Sequence, residues 1–426
     1  MDTTKTPRHK EDMGKRPASS VSSCLGGSKP LPPGWRWVRL GEVCVQDRTI
    51  VEARSPDAAN LPYLGLEDVE SQTGRILKTS PQPDEGDGVS TTFRFTPEHV
   101  LYGKLRPYLN KVALPDFAGR CTTEMIPLRC GQQICREFLA LILRRPETVE
   151  HAMQGKTGSR MPRADMDQLL QLEIPLPPLS EQRRIAGVLR EQMAAVERAR
   201  AAARARLEAV KALPAAFLRQ VFPQPAQPLP PGWRWVRLGE VCVGVASRDP
   251  GREPDAPFRY IDISSIDTQT KRIVAARTLI GKNAPSRARQ VVHARDVLVA
   301  TTRPNLNAVA LVPEELHEAI ASTGFCVLRC GPEVMPDYLF HFVQLPDFVH
   351  ALTELTKGST YPAVTDGQVL RQAIPLPPLP EQRRIAGILR EQMAAVERAR
   401  AAAEAELEAI EALPAALLRR AFSGEL

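Results

Sequence analysis

The sequence contains no apolar run approaching the ~20 residues that a membrane-spanning helix needs. Its opening stretch, MDTTKTPRHKEDMGKRPASS, lacks the apolar segment of a secretory signal. Both gaps lead to the expectation of a soluble, cytoplasmic protein. Eight cysteines are present, Cys24, Cys44, Cys121, Cys130, Cys135, Cys242, Cys326 and Cys330, yet no CxxC pair and no Cys/His cluster of zinc-finger spacing occurs. They are expected to be reduced thiols that pack as small hydrophobes.

Recognisable catalytic chemistry is equally scarce. The GKT at Gly155–Thr157 would need the leading glycine of a phosphate loop at position 150, where Glu150 stands. Asn60–Tyr63 reads NLPY, close to the NPPY of adenine methyltransferases, but Leu61 breaks the pattern and no glycine-rich cofactor loop precedes it. Asp84, Glu85 and Asp87 form no acid-plus-lysine nuclease signature, and the seven histidines share no motif with a nucleophile or a metal ligand. No RNA-binding aromatic motif is present. The expectation is a chain with no catalytic residue, no metal and no cofactor of its own. Aromatics make up 5% of the residues, and all four tryptophans lie in two copies of GWRW.

Those copies belong to a repeat, which fixes the organisation before any other feature. LPPGWRWVRLGEVCV occurs identically at Leu31–Val45 and Leu229–Val243. Ile174–Ala203 and Ile374–Ala403 differ at only two of 30 positions, Ser180 against Pro380 and Val188 against Ile388. The chain is two copies of one unit. Between the repeated phrases the copies diverge, although VLYGKLRPYLNKVAL (Val100–Leu114) still matches VLVATTRPNLNAVAL (Val297–Leu311), and GSRMPRADMDQLL (Gly158–Leu170) matches GSTYPAVTDGQVL (Gly358–Leu370). One fold with two different surfaces suggests recognition of two different things. A hydrophobic content of 43% supports ordinary cores, and a net charge of +7 leans towards a polyanion.

In chain order, residues 1–30 are polar and aperiodic, expected to be a disordered basic tail. Residues 31–173 and 229–373 read as two similar globular domains of short strands and short helices, with Glu137–Leu143 the clearest helix. The GWRW tryptophans are expected to be structural. Residues 174–222 and 374–422 each read as a Pro-rich extended run followed by a long helix; residues 223–228 are a linker and 423–426 a tail. Ser180 is expected to cap the first helix, Pro380 to sit in the first turn of the second, and Pro214 and Pro414 to kink both near their ends. Apolar or small residues step mostly by three or four along each helix, as in a coiled-coil seam that includes Ile185, Leu189, Val196, Ala199, Ala203, Leu207, Val210, Leu213 and Phe217 in one and Ile385, Leu389, Val396, Leu407 and Ile410 in the other, with Gln192 the polar exception. At ~1.5 Å per residue such a helix is ~64 Å long. Each seam is expected to meet the other copy across a pseudo-twofold axis, antiparallel, with the C-terminus close to Leu31. Arg204, Arg206 and Lys211 are replaced by Glu404, Glu406 and Glu411, which suits either pairing of the helices or two distinct partner surfaces. The expected fold class is α+β, two domains separated by two long antiparallel helices.

Two variable domains, each followed by IPLPPL(S/P)EQRRIA and a long helix, resemble the specificity subunit of type I restriction–modification enzymes over nearly the whole chain after the tail. The tail is not part of the usual pattern. The resemblance implies target-recognition domains that each read one half of a split, asymmetric site in double-stranded DNA. It implies helices that set the spacing and dock two adenine-methyltransferase subunits, and two motor–nuclease subunits joining the complex. S-adenosylmethionine, ATP and magnesium would sit on those partners. A spacer of this length suits two reading surfaces about one helical turn, ~34 Å, apart. Candidate DNA contacts are Lys104, Arg106, Tyr108, Asn110 and Lys111 with Lys156, Ser159 and Arg160 in one domain. In the other they are Thr301, Thr302, Arg303, Asn305 and Asn307 with Lys357, Ser359, Thr360 and Tyr361. These types suit phosphate positioning and base-edge readout, while Arg106 and Arg303, shared by both copies, also suit a structural role. The competing reading is a non-catalytic coiled-coil adaptor without DNA specificity.

Overall fold

The computed structural model describes residues 31–52, 55–79, 91–154, 160–224, 227–356 and 362–426. The expected tail, the GKT motif and the Asp84–Asp87 acids lie outside them. The chain forms two compact units. One runs to Ala199 and regains Ile410–Leu426; the other is Arg200–Ala409. The division cuts both long helices, so each unit is completed by the end of the other copy's helix.

Within the first unit, Arg36–Arg39 pairs antiparallel with Glu173–Leu176, setting Val38 opposite Ile174. The two repeated phrases of one copy are therefore neighbours, and Pro175 sits in a two-stranded ribbon where its missing N–H costs no central ladder bond. A four-stranded antiparallel sheet follows, in the order Cys44–Gln46, Met125–Cys130, His99–Gly103, Val112–Ala113. A second sheet orders Ile50–Val51, Thr92–Phe95, Gly119–Thr122 and Tyr63–Leu64, the last pair parallel. Tyr63 is buried beneath Arg120, 5.2 Å from its ring centroid. The expected helix appears as α1, Arg136–Arg144, with Phe138 to Leu143 buried. Burial of side chains such as Leu40, Leu128, Phe138 and Leu139 contributes about 1.5–3 kcal/mol each.

The second unit repeats the plan. Arg234–Arg237 pairs with Ala373–Leu376. One sheet orders Cys242–Val243, Phe325–Cys330, Val297–Ala300 and Val309–Leu311; the other orders Arg277–Ile280, Pro257–Ile261, Ile320–Ser322 and Ala288–Val291. Trp35 and Trp233 pack on the two cores, whereas Trp37 is exposed.

Helix α2 spans Leu179–Val221. Ser180 is not its cap: the helix starts one residue earlier, and the first backbone acceptor is Pro178 O, bonded by Gln182 N at 2.9 Å. In the second unit, after α3 (Pro336–Phe342), α4 spans Leu379–Phe422. Pro214 and Pro414 lie inside α2 and α4, and the helices continue beyond them. In the first unit Ile185 and Leu189 share a core with Leu418, Ala421 and Phe422; in the second Ile385 and Leu389 share one with Leu218 and Phe222. The start of one helix thus meets the end of the other, the expected antiparallel sense. Near the last residue, Gly424 lies against Pro32, where a Cβ would fall 2.4 Å from the ring.

The seam residues, expected to meet the other copy, are covered by the chain. Ile185, Leu189, Val196, Leu207, Ile385, Leu389 and Val396 are buried by the chain itself, and Val210, Leu407 and Ile410 are half-buried. Apolar periodicity marks the face a helix hides, and here the chain supplies the cover. Gln192 and its copy Gln392 each keep a buried Oε1 without a partner among the described residues. The charge exchange yields a bond at the central register, where Arg206 Nη1 donates to Glu406 Oε2 at 2.6 Å.

Candidate nucleic-acid interface

The matched segments KLRPYLNK and TTRPNLNA fold into the same turn. Arg106 and Asn110 hold φ of 52° and 51°, and Arg303 and Asn307 hold 51° and 47°. Between them Pro107–Leu109 and Pro304–Leu306 form one short 3-10 turn. Proline presets the turn's φ, and asparagine tolerates the left-handed region that ends it. Arginine in that region costs about 1–2 kcal/mol, so both turns are held from outside.

The hold comes from the second matched stretch. Arg106 N donates to Pro162 O at 2.7 Å, and Arg303 N donates to Pro362 O at 2.8 Å. Ala164 N reaches Lys104 O at 2.9 Å, and Val364 N reaches Thr301 O at 2.9 Å. Two stretches about 60 residues apart in sequence therefore form one surface in each domain.

The candidates divide on this surface. Arg106, Tyr108, Arg160, Arg303 and Asn305 are exposed. Lys104 is half-buried, 3.9 Å from Glu124, and Thr302 is half-buried in a bridge to Ala363. Four others are turned inward and donate to backbone carbonyls. Asn110 Nδ2 donates to Arg144 O at 3.0 Å, and Asn307 Nδ2 donates to Gln344 O at 3.2 Å. Lys111 Nζ donates to Leu66 O at 2.7 Å, with burial pushing its pKa down against the pull of Glu67 and Asp68. The Thr301 hydroxyl, 5% exposed, donates to Gly324 O at 2.9 Å. Lys156, Ser159, Lys357, Ser359, Thr360 and Tyr361 lie outside the described residues.

Sequence reasoning missed two contributors. Arg163 grips Glu124, with Nε 2.9 and 3.1 Å from its oxygens, and these hydrogen bonds raise the guanidinium pKa. The other is a hairpin beside each turn: Gln72 Nε2 donates to Tyr108 O at 3.1 Å, and Lys271 Nζ donates to Asn307 O at 2.6 Å. Burial lowers the Lys271 pKa to about 8, with Asp267 opposing. A signal existed, since QTGRI at Gln72–Ile76 matches QTKRI at Gln269–Ile273.

A solved chain from work on complex assembly and conformational transition of the type I R-M system is 26% identical, with a TM-score of 0.79, over 94% of this chain and 100% of that one. The HsdS subunit of Thermoanaerobacter tengcongensis is 27% identical, with a TM-score of 0.62, over 94% of this chain and 99% of its own. The specificity subunit of the type I restriction enzyme EcoDI of Escherichia coli is 29% identical over 157 residues, 36% of this chain. That alignment spans 34% of the EcoDI subunit, so the chain matches about a third of this curated relative's length. The model of the type I restriction modification DNA specificity domain matches residues 32–202 and again 230–408. With both copies matched and most of the chain covered, this protein belongs to the type I restriction–modification DNA specificity family.

Proposed function

We propose that this chain is the non-catalytic, sequence-reading subunit of a type I restriction–modification complex, working in the cytoplasm. Each globular domain reads one half of a bipartite, asymmetric site in double-stranded DNA. The observation that carries this reading is the turn built twice on one backbone with different exposed side chains. Arg106 and Arg303 recur with nearly identical φ, while Tyr108 in one domain is replaced by Asn305 in the other. A shared arginine suits phosphate positioning, and an exchanged neighbour suits base-edge readout. An adaptor has no need for such divergence on a fixed frame.

The long helices set the gap between half-sites and dock two methyltransferase subunits, to which two motor–nuclease subunits add. The partners carry S-adenosylmethionine, ATP and magnesium. The test is methylation sequencing of host DNA with the gene intact and deleted. Loss of methyl-adenine at one split motif is expected. A methylome that stays unchanged in a strain expressing the methyltransferase refutes the reading.

A further inference from the structure

The second unit contains a cavity of about 760 Å³ that the recognition surface does not use. This is within the ~300–1,000 Å³ of small-molecule sites. Its walls are the Thr268–Ile273 hairpin tip, α3 with Gln344, and the flanks of α4 and α2. Its lining is apolar at Ile273, Leu311, Pro313, Phe340 and Met393, and it carries the cations Lys211, Lys271, Arg272, Arg390 and Arg400 against the acids Asp337 and Glu397. Lys211 bonds Glu208, Lys271 bonds Asn307 O and Arg400 bonds Gln269 Oε1. Both acids already have cations: Arg295 donates to Asp337, and Arg272 lies 3.3 Å from Glu397. Arg390 is exposed, with no hydrogen bond or ion pair among the described residues.

His341 is the second observation. It lines the cavity and is 5% exposed, and its Nδ1 has no hydrogen-bond partner among the described residues. A buried polar group left unpaired is costly and calls for a reason. The fold supplies none, since the same helix position in the first unit is the buried Leu141. Phe340, His341 and Lys271 occupy positions held by Ala140, Leu141 and Gly74 in the other copy. Arg390, Met393 and Arg400 recur as Arg190, Met193 and Arg200. The helix wall is common to both copies, and the aromatic and polar groups on the domain wall are particular to this one.

We infer that this cavity binds a small aromatic anion of nucleoside-monophosphate size, its ring against Phe340, its negative group on Arg390, and a polar edge toward His341. Any occupant touches both the hairpin that supports the Arg303 turn and the long helices.

The test titrates the full chain, free of DNA, with adenosine monophosphate and separately with anilinonaphthalene sulfonate, followed by calorimetry and fluorescence. Saturable one-to-one binding of at least one probe is expected. Arg390→Gln and Phe340→Ala should each weaken it by roughly tenfold or more, the scale of one lost ion pair or stacking contact. His341→Leu places in this helix the residue that the other copy folds with, so its loss of binding cannot be assigned to misfolding. Arg190→Gln makes the same charge change in the first unit and should leave binding within twofold. Absence of saturable binding of both probes overturns the inference, as does an equal effect of Arg390→Gln and Arg190→Gln.

Discussion

Replacing Gln382 by alanine should destabilise the second unit severely, although the residue sits at the start of a helix. Gln382 is 0% exposed. Its Oε1 accepts from Met335 N at 2.8 Å, and its Nε2 donates to Glu333 O at 2.8 Å and Pro377 O at 2.9 Å. The amide therefore ties the first turn of α4 to the loop that starts α3. Gln182 makes the same three bonds in the first unit, to Cys135 N, Gln133 O and Pro177 O at 2.9, 2.8 and 2.9 Å. Truncation removes about 1 kcal/mol per bond and leaves a buried N–H unpaired at about 1–3 kcal/mol more, a total of about 4–6 kcal/mol. At about 2–4 °C per kcal/mol for a domain of this size, the transition should fall by about 8–24 °C in differential scanning calorimetry. Gln382→Glu sharpens the test. It keeps an acceptor for Met335 N but turns a carboxylate towards two carbonyl oxygens in a fully buried site, so it should be no better than alanine. A Gln382→Glu protein within about 1 °C of the parent would refute the clamp.

Four further outcomes follow from the geometry. Glu406→Gln breaks the Arg206 bond, but the side chains are 61% and 42% exposed, so the loss should stay within about 1 kcal/mol, whereas Leu189→Ala should cost about 2–5 kcal/mol; equal effects on thermal unfolding would refute this ranking. Burial, with lesser help from neighbouring thiols and acids, raises Cys44, Cys130, Cys242 and Cys330 from 9.0 to about 12. Their contribution to stability is therefore complete below pH 9 and lost as pH rises towards 12, and urea midpoints should fall across that window and fall less in Cys44→Ala. Lys271 has the opposite sign. Its folded pKa is about 8 against an ordinary 10.5, so the penalty for its buried charge is full below pH 8. Relative to Lys271→Met the parent should gain stability between pH 8 and 10.5, and a flat difference curve would refute the assignment. In DNA binding, Arg160→Ala should weaken contact with one half-site only, and unchanged binding to both removes Arg160 from the surface.

The repeat made most of the architecture legible. Two repeated phrases, one identical 198 residues on and one nearly so 200 residues on, revealed the two similar domains, the long helices and their antiparallel sense. The three-and-four spacing identified Ile185, Leu189 and Val196 as a hidden face. The spacing alone did not say who hides it, since an apolar stripe looks the same under another subunit or the same chain; the repeat pointed to the other copy. The candidate surface was half legible. The RPxLN and GSxxP stretches were found as sequence matches, and the backbone brings them together. Which side chains face out was not legible: Asn110 and Asn307 look like base readers by type, but the left-handed backbone at their positions turns their amides onto Arg144 O and Gln344 O. Type and spacing carry no record of that φ.

The hairpin shows why a match can be missed even when its physics is shared. Each turn needs a cation near its end to satisfy a backbone carbonyl. In the first unit the cation comes from the helix side, where Arg144 donates to Val112 O and burial lowers its pKa to about 10. In the second it comes from the hairpin, as Lys271 donates to Asn307 O. The opposing positions change with it. Gly74 stands where Lys271 stands, and a Cβ there would fall 2.2 Å from Arg144 Nη2 and 1.7 Å from Val112 O. Gln344, neutral and bonded to Phe340 O, stands where Arg144 stands. The two copies thus keep one cation per turn and exchange its source, so that aligned residues differ while the electrostatic requirement does not. Gly74→Lys alone should then be strongly destabilising, since its side chain meets both the Val112 carbonyl and the Arg144 guanidinium, and Arg144→Gln beside it should recover only the part due to the guanidinium. A double-mutant cycle by urea unfolding measures this coupling, and strict additivity of the two changes would show that the turns do not share the requirement.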